Sequence, residues 1–320
     1  MTKATSKTIQ EFLDTFRNKD RIKAGSLIIS VFGDSILPRG GQIWLGSLIK
    51  LLEPLDLNER LIRTTVFRLA RDEWLTTQSE GRRTNYKLSA SGLKRFEEAS
   101  RQIYAPTAPN WDNRWRLITV VADLPPATRE KLRTALYWQG FGEINSNCFI
   151  HPSADLSAVF DALNIDGMEE IISKLMPLIA VNPLLYKSAE DSDIVRLAWN
   201  LTQLRDDYLN FVETYKKILN ELKKVRQTGI DDETAFLIRT LLIHDFRRLL
   251  LRDPELPQVL LPAKWPGKTA RVLTMELYRK LLPSSERHLN QQILLANGEN
   301  PPASVIVSKR FQKEEPNSLV

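Results

Sequence analysis

The chain predicts an α+β protein of three unlike parts: an N-terminal winged helix-turn-helix, a ferredoxin-like middle domain and an all-helical C-terminal domain. Three observations carry this expectation. Residues 21–88 read as three helices followed by a hairpin, residues 115–186 alternate strand and helix patterns, and residues 197–225 repeat apolar side chains at spacings of four and three. The first order is that of a winged helix, the second that of a β-α-β-α-β sheet domain, and the third marks a helix pressed along a partner helix. At 320 residues the chain is also too long for one ordinary core.

In chain order, residues 1–22 form an N-terminal segment and residues 23–104 the winged helix. RIKAGSLIISVFGD (21–34) reads as an apolar helix ending near Gly33, a residue suited to a helix C-terminus. Pro38-Arg39-Gly40-Gly41 makes a turn, helical spacing resumes from Ile43 to Leu52, and Pro54 stops it. Asn58 is positioned to cap a helix that runs to Asp72. Residues 74–77 and 84–88 are short strands flanking a glycine turn tipped by Arg82 and Arg83, and Ser89 or Ser91 caps a further helix to Tyr104.

Two prolines mark residues 105–110 as a linker. The middle domain, 111–188, then holds a buried strand at 115–121, an amphipathic helix at 126–139, a strand or hairpin at 142–151, a helix at 154–163 and an apolar strand at 179–186. The helical domain, 189–297, contains the seam Leu197, Leu201, Leu204, Tyr208, Phe211, Tyr215, Ile218, Leu222 and Val225. Gly229 ends that helix, Asp231 caps the next to Arg252, four prolines follow, and a last helix covers 268–282. The seam fits either an antiparallel hairpin within the chain or a second subunit. Residues 298–320, with the adjacent Pro301 and Pro302 and mixed charge, read as a flexible tail.

Composition narrows the function. The net charge is +6, and residues 1–110 hold 18 Lys/Arg against 12 Asp/Glu, so this third carries the whole excess while the remainder balances at 27 of each. A basic module joined to neutral domains points to nucleic acid as partner. Cys148 is the only cysteine, which excludes an internal disulfide, and His151, His244 and His288 lack metal-ligand spacing. There is no signal-peptide core, and the most apolar run, 175–185, is interrupted by Pro177, Asn182 and Pro183, so a cytoplasmic protein without a membrane span is expected. No GxSxG, P-loop, HExxH or GxGxxG motif occurs, and neither an enzyme nor a cofactor or metal site is expected.

The candidate site is NERLIRTTVFRLARD (58–72). On a helix, Arg60, Arg63, Thr64, Phe67, Arg68 and Arg71 share an arc of roughly 140°, opposite Ile62, Thr65, Val66 and Leu69. One side is built to pack and the other to meet negative charge. A recognition helix lies in the major groove, where the planar fork of arginine donates two hydrogen bonds to guanine. Arg60, Arg63, Thr64, Arg68 and Arg71 are therefore the expected contacts, with Arg82 and Arg83 on the wing meeting phosphates or a minor groove. Phe67 is assigned to packing, as helical aromatics usually are, with a thymine methyl as the alternative. Rival readings are a metal-dependent nuclease built around Asp123 at the end of the first middle-domain strand, or a winged helix that binds protein.

The runs VFGDSILPRGGQIWLGSLIKLL (31–52), NERLIRTTVFRLARDEWL (58–75) and GRRTNYKLSASG (81–92) resemble those of the PaaX-type transcriptional repressors, regulators of phenylacetate degradation. Ile103-Tyr104, WDNRW (111–115) and LYWQGFGEI (136–144) extend the resemblance. Asn113 stands where the family's glycine is expected, and Thr84-Asn85 where Ser-Tyr is expected. The resemblance implies a middle domain related to CRISPR-associated spacer-acquisition proteins and a homodimer on double-stranded DNA with a palindromic operator. It also implies release by an acyl-CoA effector, phenylacetyl-CoA. Trp111, Arg114, Trp115, Arg116, Trp138 and Phe141 suit such a ligand only by composition, tryptophans at strand and helix positions are more often core, and the effector pocket is not assigned.

Overall fold

A computed structural model describes residues 6–18, 24–104, 111–183, 188–224 and 230–311. The chain divides into two compact units, one formed by Met1–Pro106, Tyr208–Arg248 and Gly267–Val320 and the other by Thr107–Asp207 and Leu249–Pro266.

In the first unit the N-terminal segment contains a helix, α1 (Lys7–Arg17), capped by Ser6 and burying Ile9, Leu13 and Phe16. Phe12 meets Tyr215 edge-to-face, with ring centroids 5.5 Å apart. Helix α2 (Ala24–Val31) does not end at Gly33 as expected but continues through a π-helical turn, Phe32–Ile36, and a 3-10 turn, Leu37–Arg39. Gly33 is required for close approach rather than for a cap: a Cβ there would lie 2.7 Å from the ring of Phe96. Gly40 and Gly41 turn the chain at φ of 87° and 71°, which glycine adopts without steric cost.

Strand β1 (Gln42–Trp44) occupies the start of what reads as continuous helix, and α3 (Leu45–Leu52) follows. No local signal specifies β1. Its ladder partners, Lys87, Tyr86 and Asn85, are distant in sequence. After α4 (Glu59–Arg71) come β2 (Leu75–Glu80) and β3 (Arg83–Leu88), giving an antiparallel sheet of order β1-β3-β2. Ser89 Oγ accepts the Gly92 N–H at 2.9 Å and so caps α5 (Ala90–Tyr104).

The second unit opens with β4 (Trp115–Val120), α6 (Pro126–Trp138), β5 (Gly142–Asn145) and β6 (Cys148–His151). It continues through α7 (Leu156–Ile165), α8 (Glu169–Ile172), β7 (Leu175–Ala180) and α9 (Asp191–Ala198). The antiparallel sheet, ordered β5-β6-β4-β7, is ferredoxin-like, with Ile118, Leu132, Leu136 and Leu163 fully buried in the core. The last strand lies earlier than the expected 179–186, of which 184–187 fall outside the described residues. Pro177 is tolerated in it because β7 is an edge strand. Asn113 has φ of 59°, the left-handed region that glycine occupies freely and asparagine tolerates, which accounts for asparagine standing at this place.

Helices α10 (Leu201–Lys224), α11 (Asp232–Leu250), α12 (Gly267–Gln292) and α13 (Ile306–Lys309) complete the chain. Along α10 the seam residues Leu204, Tyr208, Phe211, Tyr215, Ile218 and Leu222 are buried, whereas Leu197, on the separate α9, is exposed. Val225 lies outside the described residues. The Phe211 and Phe246 rings lie 5.8 Å apart, and Tyr215 Oη donates to Asp245 Oδ2 at 2.9 Å, so α11 occupies this seam within the chain. Helix α12 runs ten residues beyond the expected Leu282, through Pro283, because Ser285, His288 and Leu289 bury its second half. The segment after Asn297, expected to be flexible, buries Val307, Arg310 and Phe311.

Arg310 joins a buried ionic network that ties this unit together. Asp34, on the π-helical turn, accepts hydrogen bonds from Arg239 Nε (2.8 Å), Arg310 Nη1 (2.8 Å), Tyr104 Oη (2.6 Å) and Tyr278 Oη (3.1 Å). Arg239 and Arg39 also pair with Glu286. Burial alone would raise the Asp34 pKa, but the charges of Arg239 and Arg310 and the donated hydrogen bonds outweigh it and hold the carboxyl below its ordinary value. The network joins α2, α5, α11, α12 and the C-terminal segment, which fixes the winged helix to its helical support.

Candidate nucleic-acid interface

The site is built on α4. The Asn58 side chain accepts the Leu61 N–H at 2.9 Å, satisfying an orphan donor of the first turn and setting where the helix begins. Ile62, Thr65, Val66 and Leu69 are buried, and the helix packs on α2 and α3. The opposite face is exposed and carries Arg60, Arg63, Thr64, Arg68 and Arg71. Phe67 is a correction to the expectation of packing: it is 69% exposed. Its position within the arginine arc decides this, since the packing face of the helix is already filled.

The basic residues differ in what holds them. The Arg60 side chain makes no hydrogen bond or ion pair among the described residues. Arg63 pairs with Glu59 at 2.6 Å, an exposed i,i+4 contact worth well under about 1 kcal/mol that a phosphate can replace. Arg71 touches Asp72 at 3.3 Å. Thr64 donates its hydroxyl proton to the Arg60 carbonyl at 2.9 Å, leaving the oxygen able to accept. Arg68 Nη2 would lie 3.1 Å from a Cβ built on Gly25, so a glycine in α2 makes room for it.

Gly81 and Arg82 form the two-residue turn of the wing, with Gly81 at φ of 60°. This is where a hairpin turn of the II′ kind calls for glycine. Arg82 is exposed without a partner among the described residues, whereas the Arg83 guanidinium stacks 4.5 Å over Trp44 and its Nη1 donates to Ala296 O at 3.4 Å. Asn85 is buried, and its Oδ1 accepts the Ala296 N–H at 2.7 Å. The wing is thus tied to the chain near Ala296, a link invisible in sequence because its members lie over 200 residues apart. The unlike roles of Arg82 and Arg83 were likewise not legible in the sequence.

Elsewhere, the six residues whose composition suits an acyl-CoA do not form one site. Trp115 packs with Trp199 and Leu256, whereas Phe141 belongs to the separate cluster around Leu136. Arg116 clips the chain locally, bonding Asp112 and the carbonyls of Arg114 and Pro152. Trp138 is 69% exposed. Asp123 lies in an exposed loop, and among the described residues no group of three His, Cys, Asp or Glu is placed to hold a metal. No helix among them is long and apolar enough to cross a membrane.

Three family models match successive parts of the chain: PaaX-like protein over residues 23–92, PaaX protein central Cas2-like domain over 108–175, and PaaX-like protein C-terminal domain over 199–291. The Escherichia coli (strain K12) protein named transcriptional repressor PaaX is 36% identical over 303 residues, 93% of this chain and 94% of that one. Among solved structures, the uncharacterized protein Rv0674 from Mycobacterium tuberculosis aligns with 75% of this chain and 90% of its own, at 21% identity and a TM-score of 0.46. Matched by family models in all three parts and by a relative along almost its whole length, the chain belongs to the PaaX family.

Proposed function

We propose that this protein is a cytoplasmic, homodimeric DNA-binding transcriptional repressor of a phenylacetate catabolic operon, and a regulator rather than an enzyme. The observation that carries the reading is the capped helix α4, with one face buried in the winged helix and the other presenting four arginines and Thr64 to solvent. Two such helices, one per protomer, enter successive major grooves of a palindromic operator. Arg60, Arg63, Thr64, Arg68 and Arg71 contact bases and phosphates, and Phe67 meets a thymine methyl. Arg82 anchors the wing on a phosphate, while Arg83 supports it from behind through Trp44.

An acyl-CoA, phenylacetyl-CoA in the first instance, releases the operator by favouring a geometry in which the two helices no longer match the half-sites. Moving such an equilibrium from 99:1 to 1:99 requires about 5.5 kcal/mol of differential affinity, so the effector must contact groups that move.

The test is operator binding by fluorescence anisotropy at several salt concentrations. Arg60→Ala, Arg68→Ala and Arg82→Ala are each expected to weaken binding, and every phosphate contact removed lowers the salt slope by about 0.9. Wild-type affinity and slope in all three variants refutes the assignment. Phenylacetyl-CoA is expected to lower operator affinity, and coenzyme A alone is not; equal effects refute the effector.

A further inference from the structure

Within the first unit, the wing reaches beyond the strand that supports it. Strand β1 pairs with β3 only at Asn85, Tyr86 and Lys87, so among the described residues the hairpin from Ser79 to Thr84 has β2–β3 pairing and no third strand. A two-stranded ribbon alone is at best marginally stable in water. The tip that carries Arg82 therefore needs a further hold if it is to meet DNA in a fixed position.

Residues 294–296, which follow α12 closely, supply that hold. The Trp44 N–H donates to Leu294 O at 3.0 Å and the Leu294 N–H to Ser47 Oγ at 3.1 Å, which fastens the segment to the end of β1 and to α3. The Ala296 N–H donates to Asn85 Oδ1 at 2.7 Å, and Arg83 Nη1 donates to Ala296 O at 3.4 Å. The same segment thus grips β3 where β1 stops. Leu295, Ala296, Ser47 and Asn85 are all buried, so these bonds are shielded from water. The segment is shaped by a turn in which the Leu295 N–H donates to Glu299 O and the Gly298 N–H to Leu295 O, with Gly298 at φ of 90°. Gly46 belongs to the arrangement too, because a Cβ there would lie 2.5 Å from the Trp44 ring on which the Arg83 guanidinium stacks.

We propose that Asn85 is a positioning residue for DNA binding: clasped to residues 294–296, it holds the wing so that Arg82 meets a phosphate from a hairpin already in place. The inference rests on the wing contact proposed above and names what aims it. A group fixed before binding loses less conformational freedom on contact than one ordered by it. Asn85 is 3% exposed and turned to Ala296, so it acts on DNA only through the wing. Because α12 leads into the clasp, the posture of the wing is set from the C-terminal helices as well as by its own turn.

The experiment measures the salt dependence of operator binding by the full-length protein, and hydrogen exchange of the wing amides in the free protein. Arg82→Ala is expected to lower the salt slope by about 0.9, the mark of one lost phosphate contact. Asn85→Ala changes no charge, yet it is expected to lower the slope by about the same amount because Arg82 is no longer aimed. On the Asn85→Ala background, Arg82→Ala is expected to weaken binding by less than about twofold, whereas independent residues would each keep their full effect. In the free wild type the bonded amides of residues 79–84 are expected to exchange at least about tenfold more slowly than in an unstructured chain, and Asn85→Ala to remove that protection. Ser47→Ala, which releases the Leu294 end of the clasp, is expected to act in the same direction and carries the test should Asn85→Ala not fold. A residue that only stabilised the fold would lower the melting temperature and leave the salt slope unchanged. The proposal is overturned if Arg82→Ala lowers the slope while Asn85→Ala and Ser47→Ala keep the wild-type slope, or if the wing amides of the free wild type exchange without protection. A wild-type slope and affinity in Arg82→Ala alone refutes the wing contact itself, and the positioning role with it.

Discussion

Changing Asp34→Asn tests the ionic network that joins the winged helix to its helical support. The amide keeps the size of the side chain but removes the charge facing Arg239 and Arg310, both buried and each 2.8 Å from a carboxylate oxygen. One amide oxygen must then serve donors that two carboxylate oxygens shared, among them Tyr104 and Tyr278. Three guanidiniums would be left with Glu286 alone. Removing one partner of a buried ion pair costs about 3–5 kcal/mol, chiefly because the remaining charge is stranded in a poor solvent. At about 2–4 °C per kcal/mol for a body of this size, the melting temperature should fall by roughly 10 °C.

The pH dependence should change as well. Because the folded pKa of Asp34 is depressed, its stabilisation is present above the ordinary carboxyl pKa of 3.8 and disappears as pH falls through the lower folded value. Acid unfolding of the wild type should therefore steepen below about pH 4, and Asp34→Asn should flatten that region. Differential scanning calorimetry from pH 7 to 3 reads both effects. A variant within about 1 kcal/mol of wild type at pH 7, with an unchanged acid limb, would refute the reasoning.

Other perturbations have equally definite outcomes. Burial, and secondarily the charge of Arg116, pushes His151 down to about 4, and its Nδ1 accepts the Ser153 N–H at 2.9 Å. The unfolded chain takes up a proton below about 6.5 that the folded one refuses, so stability should fall by about 3 kcal/mol between pH 6.5 and 4, and His151→Leu should abolish that slope in denaturant melts. Gly33→Ala drives a methyl to 2.7 Å from the Phe96 ring and should cost about 1–3 kcal/mol, measured by urea midpoint. Asn58→Ala should cost about 1 kcal/mol through the lost cap and weaken operator binding with it. Arg82→Ala should leave the melting temperature unchanged, whereas Arg83→Ala should lower stability by about 0.5–1 kcal/mol through the lost Trp44 stack, both read by thermal melts.

Much of the candidate interface was legible before any coordinates because its signals are local. The cap at Asn58, the split of α4 into apolar and arginine faces, and the glycine of the wing all act over a few residues. The misreadings have a common cause. Strand β1 exists only because β3 offers a ladder, and Gly33 looked like a helix cap because sequence does not reveal that Phe96 lies against it. Phe67 was assigned to packing by the habit of aromatics, although its angular position already placed it with the arginines. The last helix was expected to end at Leu282, yet it continues through Pro283 because the burial of Leu289 beyond it holds the turn that proline weakens.

Charge location, helix periodicity and turn chemistry were therefore decided in the amino-acid order itself, since each depends on neighbours within about a turn of helix or a hairpin. Tertiary packing alone decided that Asp34, Arg239, Glu286 and Arg310 would meet, and that Arg82 and Arg83 would part company. These outcomes rest on contacts between residues up to 276 positions apart, where burial turns ordinary surface charges into paired or stranded ones.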